Sequence, residues 1–214
     1  MKVKIKKKGK VKNFKLIDSW KDVTLEKWVK LMEFHKLTKT KEAEETIAAL
    51  SNIPKKLIKE LALKDVAILM SSLAELQQDK KSSLKRIIEI DGKRYGFHPN
   101  LDDITLGEWA DLETFMKSNM EKNMAEIMAI LYRPIIEETA SGVYTIEAYN
   151  GNISIRAEQM KKMSSIEVQS ALVFFWRFVN VLLTNSALFL TDKLKGMKMQ
   201  LQQNLLQKSG DILE

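Results

Sequence analysis

Two histidines, a pair of adjacent aspartates and a dense group of lysines are the residues of this chain that invite chemistry. His35 and His98 are the only imidazoles, and acid–base work near neutral pH would fall to them first. Neither joins a second His, Asp or Glu in a recognisable helical metal motif, and no nucleophile stands beside them in a special turn. His98, followed by Pro99 at the end of an expected strand, reads as a loop residue. Asp102 and Asp103 could offer hard oxygen ligands to Mg²⁺ or Ca²⁺, but no Asp-rich loop with calcium-site spacing surrounds them. They read instead as an exposed turn before a helix, where acids suit the helix dipole.

The remaining catalytic vocabulary is thin. The 214 residues include no cysteine, which excludes disulfides, thiolate metal sites and cysteine nucleophiles and leaves a reducing cytoplasm as the expected compartment. Of the eight glycines, none forms a phosphate loop. A non-enzymatic protein with no catalytic residue, metal or cofactor is therefore expected.

The lysines are the strongest functional feature. Residues 1–15 hold eight of them and no acid, leaving 27 basic against 28 acidic residues in the rest of the chain. The net charge of +7 is thus a local device on a near-neutral body. Lys2, Lys4 and Lys6 alternate with Val3 and Ile5, so a strand would set three ammonium groups on one face, with Lys7, Lys8 and Lys10 at a turn and Lys12 beyond it. Such a cluster could hold DNA without sequence specificity, or an acidic protein surface. Equally, it could blunt an exposed edge and keep it soluble. No apolar run comes after the lysines, so a secretory signal is not expected.

The elements that must carry these residues come in two similar sets. Residues 22–34 are echoed 81 positions later by residues 103–115, with Asp22/Asp103, Thr24/Thr105, Leu25/Leu106, Trp28/Trp109, Leu31/Leu112 and Phe34/Phe115 identical. Thr24 and Thr105 suit N-cap positions, Thr105 with Glu108 forms a capping box, and Val23 and Ile104 are spaced to staple Trp28 and Trp109. Burial in a module core is the simpler role for both tryptophans, a partner platform the alternative. Ahead of each helix a β-hairpin is expected. Residues 86–97 turn at Asp91-Gly92, and residues 3–14 match them through Ile5/Ile88, Gly9/Gly92 and Phe14/Phe97 after a two-residue insertion before the helix. Ala43, Ile47, Ala48 and Leu50 then fall on Met124, Met128, Ala129 and Leu131, an apolar stripe on a second helix. Pro54 and Pro134 close that helix or open the next element.

Short and long helices are expected at 55–61 and 63–76, and again at 157–163 and from 165 onward, with Ser164 and Glu167 as a capping box. An additional hairpin turned at Asn150-Gly151 is expected within 143–156. Residues 171–190 are long enough to cross a bilayer, but Arg177 near the middle would cost about 2.5–3.5 kcal/mol there, which favours a helix buried in protein and makes a membrane an unlikely partner. After residue 190, Leu194, Met197, Leu201 and Leu205 recur at helical spacing and offer a stripe for a partner helix.

These patterns resemble a known group of proteins. A hairpin, the Asp22-Val-Thr-Leu-x-x-Trp28 helix start, the Ile53-Pro54 … Leu61-x-Leu63-x-Asp65-Val66 stretch and Ala171-Leu-Val-Phe-Phe-Trp176 together are similar to small proteins of tailed bacteriophages, in particular crAss-like phages of gut Bacteroidota. The resemblance spans nearly the whole chain but lies in helix starts and core patterns. It implies a role in the virion or its assembly and transfers no active site. The lysine-rich start and the long tail depart from it.

The expected fold is mainly α within an α+β class: residues 1–80 form a first hairpin-plus-helices module, 81–190 a second with its extra hairpin and the 171–190 helix at its centre, and 191–214 an amphipathic tail. The expected function is that of a phage structural or virion-associated protein in neck, tail or packaged cargo. A transient head or tail assembly chaperone and a DNA-binding accessory protein are the alternatives. Its expected partners are other phage proteins, including copies of itself, and non-specific DNA. Its expected location is the host cytoplasm during assembly, and then the particle.

Overall fold

A computed structural model describes residues 1–7, 10–77 and 83–185. The protein is mainly α with two small antiparallel sheets. It divides into two compact units, Met1–Ala171 and Leu172–Glu214. The first unit holds both hairpin-led halves; the boundary falls inside the last helix.

In the first half, β1 (Lys2–Lys7) pairs antiparallel with β2 (Lys10–Lys15), with Val3 opposite Phe14 and Ile5 opposite Lys12. Alternation along a strand puts Val3, Ile5 and Phe14 on one face. They pack against a core containing Leu16, Val23, Leu31, Ile47 and Leu50. A single 3₁₀ turn, Trp20–Asp22, leads to α1 (Leu25–Phe34), which begins where Thr24 Oγ1 accepts the Lys27 N–H at 3.4 Å. Then come α2 (Lys39–Leu50), α3 (Lys55–Ile58) and α4 (Leu63–Gln77).

The second half runs β3 (Ile87–Ile90), β4 (Lys93–Phe97), α5 (Leu106–Asn119), α6 (Met124–Leu131), β5 (Tyr132–Glu138), β6 (Tyr144–Ile146), α7 (Ser154–Met160) and α8 (Ser165–Asn185). Its four strands lie in sequence order. Asp91 and Gly92 turn β3 into β4 with φ of 51° and 74°, the geometry that an Asp-Gly hairpin turn requires. Thr105 and Glu108 form the full capping box at the start of α5.

Backbone bonds recur between the halves at the offset read from the sequence. Ile17 N–H bonds to Leu50 C=O at 3.0 Å, and His98 N–H to Leu131 C=O at 2.7 Å. The isolated bridge Leu16↔Ser51 matches the pair Phe97↔Tyr132 that joins β4 to β5. Ser19 and Asn100 each accept the amide two residues on, and Val23 and Ile104 each close a 3₁₀ turn. Past the insertion of β6 the offset becomes 102: Leu61 N–H to Ile58 C=O matches Met163 N–H to Met160 C=O, and Val66 to Ala62 matches Val168 to Ser164.

Several expectations are corrected. The hairpins align through Leu16/Phe97 and Phe14/Tyr95 on one strand and Val3/Ile88 on the other; the first is longer at its turn end, and nothing is inserted before its helix. Asn150-Gly151 does not turn a hairpin. Its positive φ of 72° at Gly151 serves the entry to α7, while the β5–β6 turn uses Gly142 at φ 81°. Positive-φ turn chemistry serves both uses, so the dipeptide alone does not choose between them. Pro134 does not open β5 but lies inside it opposite Tyr95, three residues past the end of α6 at Leu131. At α8 only half of the Ser164 box forms, Glu167 accepting the Ser164 N–H at 3.4 Å while Ser164 Oγ is buried without a partner.

The stretch expected to be buried in protein is mixed. Phe175 and Val179 are buried, whereas Val173, Trp176 and Val181 are exposed. Among the described residues no helix is long and apolar enough to cross a membrane.

Candidate functional site

The first two amides of an α-helix have no partner within the helix. In α1 these belong to Leu25 and Glu26, and both are satisfied by the turn between α7 and α8. Leu25 N–H bonds to Met163 C=O at 2.7 Å and Glu26 N–H to Lys161 C=O at 3.0 Å. In return Ser165 N–H bonds to Val23 C=O at 2.7 Å, and Ser165 Oγ donates to Trp20 C=O at 3.0 Å. Leu25, Met163 and Ser165 are each 1 % exposed or less. This joint, residues 23–26 against 161–165, is a short β-like ladder with an apolar centre, and it ties the start of the first half to the end of the second.

Each side of the joint has a counterpart elsewhere in the chain, and both counterparts are bare. Leu106 at the start of α5 corresponds to Leu25 and is 85 % exposed, and Leu63 at the start of α4 corresponds to Ser165 and is 84 % exposed. Among the described residues these are the two most exposed large apolar side chains. The amides of Leu63, Leu106 and Gly107 have no hydrogen-bond partner there. Leu106 and Leu25 are the same residue, so their difference lies in what covers them, whereas Leu63 stands where the second half has a serine.

The lysine hairpin is a second candidate surface. The register puts Lys2 and Lys4 with Lys15 on one face, and Lys12 opposite Ile5 on the other face with Val3 and Phe14. Lys12, beyond the turn, thus stands apart from the face of Lys2 and Lys4, and Lys15 takes a place there. Lys2, Lys4 and Lys15 are exposed. Lys8 lies outside the described residues, as do Leu194, Met197, Leu201 and Leu205. Lys7 pairs with Lys10 where the strands meet the turn.

The histidines sit in unlike surroundings. His35 is exposed and pairs with Glu42, which Lys39 also holds at 2.8 Å; these hydrogen bonds, Lys39 first, keep the Glu42 carboxyl below its ordinary range. His98 lies in the loop after β4, as expected, but is buried there: it is 7 % exposed, with Nε2 3.7 Å from the Glu108 carboxylate. Glu108, 1 % exposed, also meets Arg133 Nη2 at 2.8 Å and accepts both the amide and the hydroxyl of Thr105 at 2.7 Å. One capping residue therefore anchors a buried charge. Burial lowers the His98 pKa, partly opposed by Glu108, and likewise lowers that of Arg133. Arg133 lies over the Tyr149 ring, and Tyr149 hydrogen-bonds Asp111. The cluster is closed to solvent and its carboxylate is held by Arg133 and Thr105, while His98 Nδ1 and Arg133 Nε are buried without a hydrogen-bond partner.

Asp102 and Asp103 form an exposed 3₁₀ turn capped by Asn100, as expected. Trp28 is half-buried against the first core, and Trp109 is half-buried. A cavity of about 430 Å³ opens between the hairpin and α7, lined by Tyr95, Glu147, Asn150 and Arg156 among others. Arg156, 8 % exposed, meets Glu147 at 3.5 Å across it.

No protein-family model matches the chain, and no curated protein or solved structure matches it either.

Proposed function

We propose that the chain is a non-enzymatic structural or virion-associated protein of a tailed bacteriophage, working in neck, tail or packaged cargo through protein contacts. One observation carries the contact reading: Leu63 and Leu106 stand in solvent at 84 % and 85 % exposure, at the two places whose counterparts form the internal joint. Exposed apolar side chains scattered singly are ordinary; what sets these two apart is that their counterparts are the places where the chain bonds to itself. The phage setting rests on the resemblance of the helix starts and core pattern, and places the protein in the host cytoplasm during assembly and then in the particle. Mass spectrometry of purified particles tests it: a stoichiometric amount of the chain is expected, and its absence from mature particles would remove the virion role.

The second reading, a transient assembly chaperone, is favoured by α8, which exposes Val173, Trp176 and Val181 on one helix. A partner recovered with the chain from infected cells but missing from particles would select it. The hairpin face of Lys2, Lys4 and Lys15 favours a DNA contact as an accessory role. Replacing Lys4, Lys6, Lys7 and Lys8 by Gln is then expected to weaken DNA binding and flatten its salt dependence; unchanged affinity and slope would dismiss that role.

A further inference from the structure

The internal joint is one-directional. It uses the helix start of the first half (residues 23–26) and the helix-pair turn of the second (161–165), and leaves unused the helix start of the second half (104–107) and the helix-pair turn of the first (59–63). A contact built from two different surfaces, with one of each left over, is the arrangement that can continue from molecule to molecule.

We propose that a second copy of this chain fills the vacancy: the α3–α4 turn of one copy docks on the start of α5 of the next, repeating the joint between molecules. By correspondence, Leu63 N–H would meet Ile104 C=O, Leu106 N–H would meet Leu61 C=O, and Gly107 N–H would meet Lys59 C=O. Three observations converge on this occupant. The free surfaces keep the backbone geometry of the joined ones, Thr24 and Thr105 having φ, ψ of −72°, 158° and −71°, 158°. The bare leucines are at the two central positions of the missing contact. Charge agrees in net balance: Asp102 and Asp103 are exposed beside Ile104, while around Leu63 the exposed Lys56, Lys59 and Lys64 outnumber the exposed Glu60 and Asp65. Opposite charge at the rim guides orientation and discourages like surfaces from pairing.

The apolar surface extends beyond Leu63. A groove of about 420 Å³ borders the turn, lined by Val3, Ile5, Leu61 and Ile68 with the charged Lys4, Glu60 and Asp65, and Ile68 is 63 % exposed. Because the contact is heterologous, successive copies form a ring if the rotation closes and a filament if it does not. This deepens the protein-contact reading above, and it can fail independently of the phage setting, since particle composition and self-association are measured separately.

Sedimentation velocity of the full chain over a concentration series tests it, with Leu63→Asp, Leu106→Asp and an equimolar mixture of the two. Wild type is expected to grow past dimer as concentration rises, and each variant to remain monomeric. The mixture is expected to give a dimer and nothing larger, because one intact surface survives on each variant and the two are complementary. Both positions are exposed, so unchanged circular dichroism and melting are expected; Leu63→Ser and Leu106→Ser repeat the test with a smaller change. A wild type that stays monomeric, assembly that neither variant weakens, or a mixture that stays monomeric would each overturn the proposal.

Discussion

Leu25 and Leu106 are the same residue at the same position of the same helix start, and one is buried while the other stands in water. The contrast runs deeper inside the two halves. Where the second half buries His98, Glu108 and Arg133 together, the first places Ile17, Lys27 and Asn52 at the matching positions. Asn52 there accepts the Lys15 N–H on its side chain at 2.6 Å while its own N–H reaches Lys15 C=O at 3.0 Å, at the place where the second half pairs Gly96 with Arg133 on β5. Residues shared by the halves, such as Leu31/Leu112 and the capping threonines, build each half; residues that differ decide what each half touches.

The largest expected effect asks whether the shared core is equally important on both sides. Leu16 and Phe97 are both fully buried at the strand–helix junction. Leu16→Ala is expected to cost about 2–5 kcal/mol and Phe97→Ala about 3–5 kcal/mol of unfolding free energy in urea titrations. A small loss at Leu16 alone would break the correspondence. Next, Glu108→Ala is expected to cost about 3–5 kcal/mol, because it leaves Arg133 charged and buried. Lys27→Ala, exposed at the matching position, is expected within about 0.5 kcal/mol of wild type. Equal costs would show that the buried pair with Arg133 contributes nothing net to stability.

Gly96 sharpens the comparison further. A methyl there would run into the Tyr144 ring and Ile146, so Gly96→Ala is expected to lose about 1–3 kcal/mol by overpacking. Its counterpart Lys15 has an exposed side chain and no β6 above it; Lys15→Ala in the same urea titration should be nearly silent. Thr24→Ala and Thr105→Ala are each expected to lose about 1 kcal/mol as lost caps, with Thr105 the larger because its box is complete.

The smallest effect is in pH. Burial holds the His98 pKa below its ordinary value, so below about 6.5 the unfolded chain binds a proton that the folded one resists. Stability is full above that range and declines as pH falls through it. His98→Gln should flatten the melting temperature between pH 7.5 and about 5.5 relative to wild type; an unchanged slope would place the titration elsewhere.

Much of the scaffold was legible in the sequence because local chemistry fixes it. Asp91-Gly92 dictates its turn, Thr105 and Glu108 dictate their box, and the stripe through Ile47 and Leu50 dictates a helix face. Where two outcomes share one local signal, the sequence misled: Asn150-Gly151 has the φ of a hairpin turn but precedes α7, and Pro134 has the look of a helix stop but lies in a strand. The face that Lys12 takes was not legible either, because pairing register, set by the cross-strand partner, decides it. The joint could not be read at all. Its bonds join residues about 140 positions apart, and neither Leu63 nor Leu106 differs in kind from a residue destined for a core.

Amide hydrogen exchange at the two helix starts tests the central contrast most directly. In dilute protein, Leu25 and Glu26 should exchange slowly because Met163 and Lys161 hold their amides, and Leu106 and Gly107 should exchange at rates close to those of free peptide. Raising the concentration should slow only the second pair. Equal rates at both helix starts in dilute solution would contradict the one-sided joint on which the proposed assembly is built.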